Sequence, residues 1–174
     1  MLKEQKMISD NDKKKLAEID SQIELLKKKK ESINPYSNLK SYNNKKFGEE
    51  WSEPHIIDNC PIFEIIDGKG YDFYNKKLGR IEVKSCRLPA TTVNQCHPND
   101  CDYFLFVFYD CDNYEDYLFL VPSKDFVEKF EPTPQHDRHK MTASCFNVSL
   151  GTSRRKELIK QYKVTYESLN KNYK

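Results

Sequence analysis

Apolar residues along this chain follow three rhythms. The first is helical. Between Asp12 and Ser32, Leu16, Ile19, Ile23 and Leu26 recur at steps of three and four. That spacing predicts a helix with one apolar stripe, and Ser9, Asp10 and Asn11 are candidate N-caps. The stripe is also the a/d seam of a short coiled coil. Two readings stay open: an amphipathic helix lying on its own domain, or a dimerisation arm. Asn34-Pro35 ends the helix, and 35–46, rich in Asn, Ser, Tyr and Lys, reads as a linker. A shorter helix is predicted over Lys45 to Glu53, stopping before Pro54 and carrying Glu49, Glu50 and Glu53.

The second rhythm is alternation, over Ile62 to Ile66, Tyr71 to Asn75 and Arg80 to Cys86. These read as strands, with Asp67-Gly68 a turn signal between the first two. Residues 88–99 hold Pro89 and Pro98 and read as a loop, or a short helix around Thr91 to Cys96. The third rhythm is the continuous apolar run. Tyr103 to Tyr109 is apolar on both faces and predicts a covered central strand. An acidic turn, Asp110 to Asp116, leads to a second buried strand, Tyr117 to Val121. A helix from Lys124 to Phe130 follows, with Ser123 as cap, and then a polar loop, Glu131 to Lys140. Ala143 to Leu150 reads as a last strand. Gly151-Thr152-Ser153 opens a C-terminal helix to about Asn170, whose stripe of Ile159, Tyr162, Tyr166, Leu169 and then Tyr173 reads as a core-facing face ahead of an oligomer seam. This order predicts an α/β or α+β fold, a mixed central sheet flanked by helices. It divides into a helical arm, 1–33, and a single domain, 34–174.

Composition narrows the function only a little. The 174 residues suit one full core, and a net charge of +2 gives no global basicity that would announce nucleic acid. The N-terminus is charged, without the apolar stretch of a signal peptide, and no run is long enough to span a membrane. An intracellular compartment, cytoplasmic or nuclear, is expected, with the six cysteines as free thiols. Cys96, His97, Cys101, Cys111, His136, His139 and Cys145 invite a zinc reading, but their spacings match no finger or knuckle.

The candidate chemistry lies in Gly70 to Ser85. Glu82 and Lys84 are two apart on a strand and share a face, while Ile81 and Val83 point the other way. The turn Lys76-Lys77-Leu78-Gly79, with Gly79 left-handed, sets Asp72 across from Glu82. Two carboxylates and a lysine then converge, enough to hold a divalent cation and activate a water. Asp72, Glu82 and the Val83 carbonyl are the candidate ligands. Lys84 positions a water or stabilises charge on a phosphate oxygen.

Asp72, the Glu82-Val83-Lys84 triplet, the glutamate-bearing helix before them and the buried strand after them together resemble the PD-(D/E)XK nuclease superfamily. The resemblance covers roughly Lys45 to Val121. Tyr71 stands where the motif's name has proline. The family core is helix, three strands, helix, strand, and the chain's size looks most like a small type II restriction endonuclease. The resemblance implies a restriction-endonuclease-like core, Mg²⁺ (with Mn²⁺ able to substitute) and double-stranded DNA. It implies an accessory glutamate from the first helix, Glu50 or Glu53, and a polar residue after the triplet, Gln95. Lys76, Lys77, Arg80 and Arg87 flank the site as phosphate-contact candidates. Arg138, His139 and Lys140, with Arg154 and Arg155, form a second basic group. Cutting both strands calls for two active sites, so a homodimer is expected, joined through the Leu16 to Leu26 seam. Homing, repair or junction-resolving nucleases, an RNA-cleaving enzyme, and a non-catalytic binding module remain as alternatives.

Overall fold

The computed structural model describes residues 9–33, 47–66, 70–134 and 145–174. The chain divides into two units, Met1–Asn38 and Leu39–Lys174. In the first, α1 spans Asp10–Ile33. Ser9 caps it: its Oγ accepts from the Asp12 N–H at 3.1 Å, satisfying a donor that the first turn leaves without an intrahelical partner. The seam residues Leu16, Ile19, Ile23 and Leu26 are all exposed, by 44% or more.

In the second unit a π-helical segment, Gly48–Ser52, runs straight into α2, Glu53–Asn59. The expected stop before Pro54 is thereby corrected. The Glu53 N–H donates to the Gly48 carbonyl five residues back, and Pro54 falls in the first turn of α2. A proline there lacks only an N–H that a first turn cannot use, and the wider π turn gives its ring room.

Six strands form the main sheet: β1 (Glu64–Ile65), β2 (Phe73–Asn75), β3 (Gly79–Arg87), β5 (Tyr103–Asp110), β6 (Glu115–Pro122) and β9 (Lys163–Val164). Their order is β1-β2-β3-β5-β6-β9. β3 and β5 are parallel and the other neighbours antiparallel, so the sheet is mixed, and helices flank it. A second, antiparallel sheet joins β4 (Thr92–Cys96), β8 (Phe146–Ser149) and β7 (Thr133–Pro134) in the order β4-β8-β7.

A parallel pair needs a crossover, and here β4 lies within it. The expectation of a loop or short helix over Thr91 to Cys96 is corrected. A register shift between Val93 and Cys96 buries two residues three apart, which breaks the two-residue period and imitates helical spacing. Gln95 sits inside this irregularity with a φ of 54°.

β5 separates the two layers of core. On one face Phe104, Phe106 and Phe108 join Phe119 and Val121 of β6 beneath α3, Ser123–Phe130. The Phe126 ring lies 4.7 Å from that of Phe104. Ser123 is not the cap of α3; its hydroxyl meets the Cys101 thiol at 3.2 Å instead. On the other face Tyr109 takes the edge of Trp51 at 4.7 Å, and its hydroxyl meets Ser52 Oγ at 3.1 Å.

The single C-terminal helix is corrected to α4 (Ser153–Lys160), β9 and α5 (Tyr166–Asn172). Lys163 and Val164 pair with Phe119 and Leu118 of β6. A reciprocal capping box between Thr165 and Ser168 then restarts the helix. The expected Asp67-Gly68 turn lies outside the described residues. Among those described, no helix is long and apolar enough to cross a membrane.

The β2–β3 turn forms as expected, with Gly79 at a φ of +80° and its missing Cβ only 2.5 Å from Asp102 Oδ2. Gly79→Ala therefore loses about 1–3 kcal/mol in urea denaturation. Gly48→Ala, which meets nothing within 4 Å, stays within about 1 kcal/mol of wild type.

Candidate active site

β2 pairs with β3 only at Gly79, Arg80 and Ile81. Beyond Ile81, no strand among the described residues pairs with β3 on that side. Asp72, one residue before β2, closes the first gap: its Oδ2 accepts the Val83 N–H at 2.6 Å, and its own N–H donates to the Ile81 carbonyl. The paired register Phe73↔Ile81 continues to set Asp72 across from Glu82. In an extended strand a residue's N–H and C=O point to one edge. The Val83 carbonyl therefore also faces the Asp72 side.

Glu82 and Lys84 stand on the Phe104–Phe106 face, through the register Glu82↔Phe104 and Lys84↔Phe106. Lys84 Nζ donates to Glu82 Oε1 at 2.5 Å. Both side chains are largely buried, at 9% exposure for Glu82 and 19% for Lys84. With Asp72 they line a cavity of about 420 Å³ that Glu49, Glu53, Gln95 and His97 also line. Glu53, in the first turn of α2, reaches it together with Glu49. Of the two glutamates that the resemblance implies, Glu53 is the one that lines the cavity. Glu50 is exposed and lies outside the cavity lining.

Burial makes this cluster hold protons tightly. Desolvation, then the charges of Asp72, Glu49 and Glu82, push Glu53 from 4.5 up to about 7. Desolvation also raises Asp72 and Glu82 above the usual carboxylate range, opposed by the Val83 N–H at Asp72 and by Lys84 at both. At Lys84 burial favours the neutral amine, but the charge and hydrogen bond of Glu82 outweigh it and keep the ammonium.

Gln95 does not stand on a helix, but its place on β4 brings it to the cavity. Of the flanking cations, Arg80 is committed to Asp102, with Nε at 3.1 Å and Nη2 at 3.0 Å from its oxygens. Lys76 and Lys77 are exposed at the β2–β3 turn, and Lys77 reaches the Asn172 carbonyl at 3.4 Å. Arg87 lies over the Phe47 ring at 4.9 Å. Arg154 pairs with Glu131 at 2.9 Å. Arg155 donates to the carbonyls of Phe130, Ser149 and Glu131, which ties α4 to the end of α3. Arg138, His139 and Lys140 lie outside the described residues.

Glu49 and His97 were not singled out as site residues in the sequence. Glu49 carried a signal, standing one helical turn before Glu53, whereas His97 was legible only as part of a cysteine–histidine cluster. Burial pushes the Cys96 and Cys101 thiols up to about 12. Among the described residues, no three His, Cys, Asp or Glu side chains form a ready-made metal cage. A scan of protein-family models and a search of curated proteins return no match to this chain.

Glu53 gives this site a measurable pH signature. Below about pH 4.5 both folded and unfolded forms carry its proton; between there and about 7 only the folded form does. Stability therefore falls as pH rises through that window. In EDTA, Glu53→Gln is more stable than wild type at about pH 8, by ~1–2 kcal/mol after discounting for partial solvent access. The gain vanishes near pH 4 in urea titrations.

Proposed function

We propose that this protein is a Mg²⁺-dependent endonuclease of the PD-(D/E)XK kind, hydrolysing phosphodiester bonds in double-stranded DNA as a restriction-type homodimer. One observation carries the reading: Asp72, Glu82, Lys84 and Glu53 line a single cavity at the open edge of β3. Mg²⁺ is commonly held by one or two carboxylates, with waters and substrate phosphate filling the other positions. The donor set fits that habit without a three-residue cage: Asp72 and Glu82 supply carboxylates, and Val83 its carbonyl. Bound there, the ion would acidify a water and neutralise charge on the phosphate.

The chain's own residues have distinct parts in this reading. Asp72 is oriented by the Val83 N–H, so one oxygen is fixed and the carboxylate faces Glu82. Lys84 stays a cation beside Glu82 and sits where it can stabilise an equatorial phosphate oxygen or orient the attacking water. Glu53, with a pKa of about 7, can take up a proton from that water near neutral pH. Where the family core has a helix after the triplet, this chain has β4. The reading therefore rests on the acid–lysine constellation rather than on a complete match of elements.

Asp72→Ala and Lys84→Ala each reduce Mg²⁺-dependent nicking of plasmid DNA by ~10²-fold or more, with far-UV circular dichroism unchanged. Unchanged cutting would refute the site. Gel retardation by a wild type that cuts nothing with Mg²⁺ or Mn²⁺ would favour the binding module. For the dimer, Ile19→Asp with Ile23→Asp in the full chain yields a monomer by light scattering. An unaltered dimer places the interface elsewhere.

A further inference from the structure

His97 lines the acidic cavity, yet it has no part in the reading above. Its backbone is held on both sides. Cys96 before it is fully buried and packs in one cluster with Phe104 and Phe106. Pro98 follows, and a proline restricts the residue before it to extended backbone. The His97 carbonyl accepts the Asp100 N–H at 3.0 Å and the Cys101 thiol at 3.7 Å. The residue is half-buried, and its ring makes no hydrogen bond or ion pair with the described residues. A titratable side chain that its backbone fixes, and that faces a cavity uncommitted, is placed to meet what enters the cavity.

The cavity is approached from both faces of the sheet. The helix that brings Glu53 packs on the Tyr109 face through Trp51 and Ser52. β4 packs on the opposite face, where Val93 and Cys96 join Phe104 and Phe106, and its end brings His97. The other charged groups that line the cavity are Glu49, Asp72, Glu82 and Lys84. An in-line displacement at phosphorus has two sides as well: the water enters on one and the bridging oxygen leaves on the other. A base from one face and an acid from the other meet that demand. An imidazole in general titrates near neutrality, which suits it to give a proton to a departing alkoxide. Lys84 is already engaged by Glu82, so its ammonium is the poorer source of that proton.

We propose that His97 is the general acid of this site, giving its proton to the bridging oxygen that leaves phosphorus. The role rests on the nuclease reading above. As the water oxygen bonds to phosphorus, the bond from phosphorus to the bridging oxygen breaks. One water proton passes to Glu53, and the leaving oxygen takes the His97 proton. Glu53 then returns a proton to His97 through solvent. One water is thereby added across the bond, and both side chains regain their starting states.

The test uses the full-length protein under single-turnover conditions, which read the chemical step. Long duplex DNA cut with Mg²⁺ is first sequenced and end-typed, which places the cut and shows which bridging oxygen leaves. Synthetic duplexes spanning that cut then carry either the ordinary oxygen or a sulfur at the leaving position. A thiolate departs without needing a proton, so the acid is dispensable for it. His97→Gln cuts the oxygen duplex ~10²-fold more slowly than wild type, and the sulfur duplex at a rate within about threefold of wild type. Both rates come from one preparation, so a misfolded fraction cancels in their ratio. His97→Asn repeats the comparison where His97→Gln does not fold. Equal slowing on both duplexes, which lost packing or a lost metal contact would give, overturns the role. Undiminished cutting of the oxygen duplex overturns it too, and either result leaves the nuclease reading standing. A wild type that cuts nothing with Mg²⁺ or Mn²⁺ removes that reading and the role with it.

Discussion

The contact on which the candidate site depends is the Asp72 carboxylate on the Val83 N–H. A mixed sheet normally hides its strand edges. Here β2 stops pairing at Ile81, while β3 continues to Arg87 along β5. The exposed edge has to be satisfied by something other than a strand. Asp72 does so with a side chain, which fixes the carboxylate in the one place where it faces Glu82. A short β2 is thus the cause of the site: had the hairpin zipped further, the cavity would be filled by backbone.

The same opening explains why groups from both faces of the sheet meet. Glu82 and Lys84 belong to the face covered by α3, and Glu53 comes from the helix packed against Tyr109. They share a cavity at a stretch of β3 that no strand among the described residues pairs with. Concentrating carboxylates in a partly buried place is unfavourable, and the raised proton affinity of Asp72, Glu53 and Glu82 is its mark. Lys84 offsets part of that cost. Strained or costly groups gathered in one cleft point to function as a hypothesis, and a divalent cation is the chemistry that would relieve these.

Much of this was legible in the sequence, for identifiable reasons. Two-residue alternation placed Glu82 and Lys84 on one face, and Gly79 set the turn that aligns Asp72 with them. The apolar run of β5 marked the central strand because residues covered on both faces cannot alternate. What failed were places where tertiary contacts override local pattern. Pro54 reads as a stop, yet a π turn lets the helix pass and delivers Glu53. Val93 and Cys96 look helical because a bulge broke the strand period. The stripe from Ile159 to Tyr173 keeps helical spacing across β9, where Lys163 and Val164 pair with β6 instead. Arg80 and Arg155 read as free cations, but their partners, Asp102 and the carbonyls of Phe130, Ser149 and Glu131, are distant in sequence.

The central claim is that the open edge of β3 builds an oxygen-donor cation site. An anomalous difference map from crystals grown with Mn²⁺ tests it most directly. The account predicts a peak between Asp72 and Glu82, about 2.0–2.3 Å from a carboxylate oxygen of each and facing the Val83 carbonyl. A map with no peak in that cavity at millimolar Mn²⁺, or with Lys84 still bonded to Glu82 and the ion bound elsewhere, would contradict it.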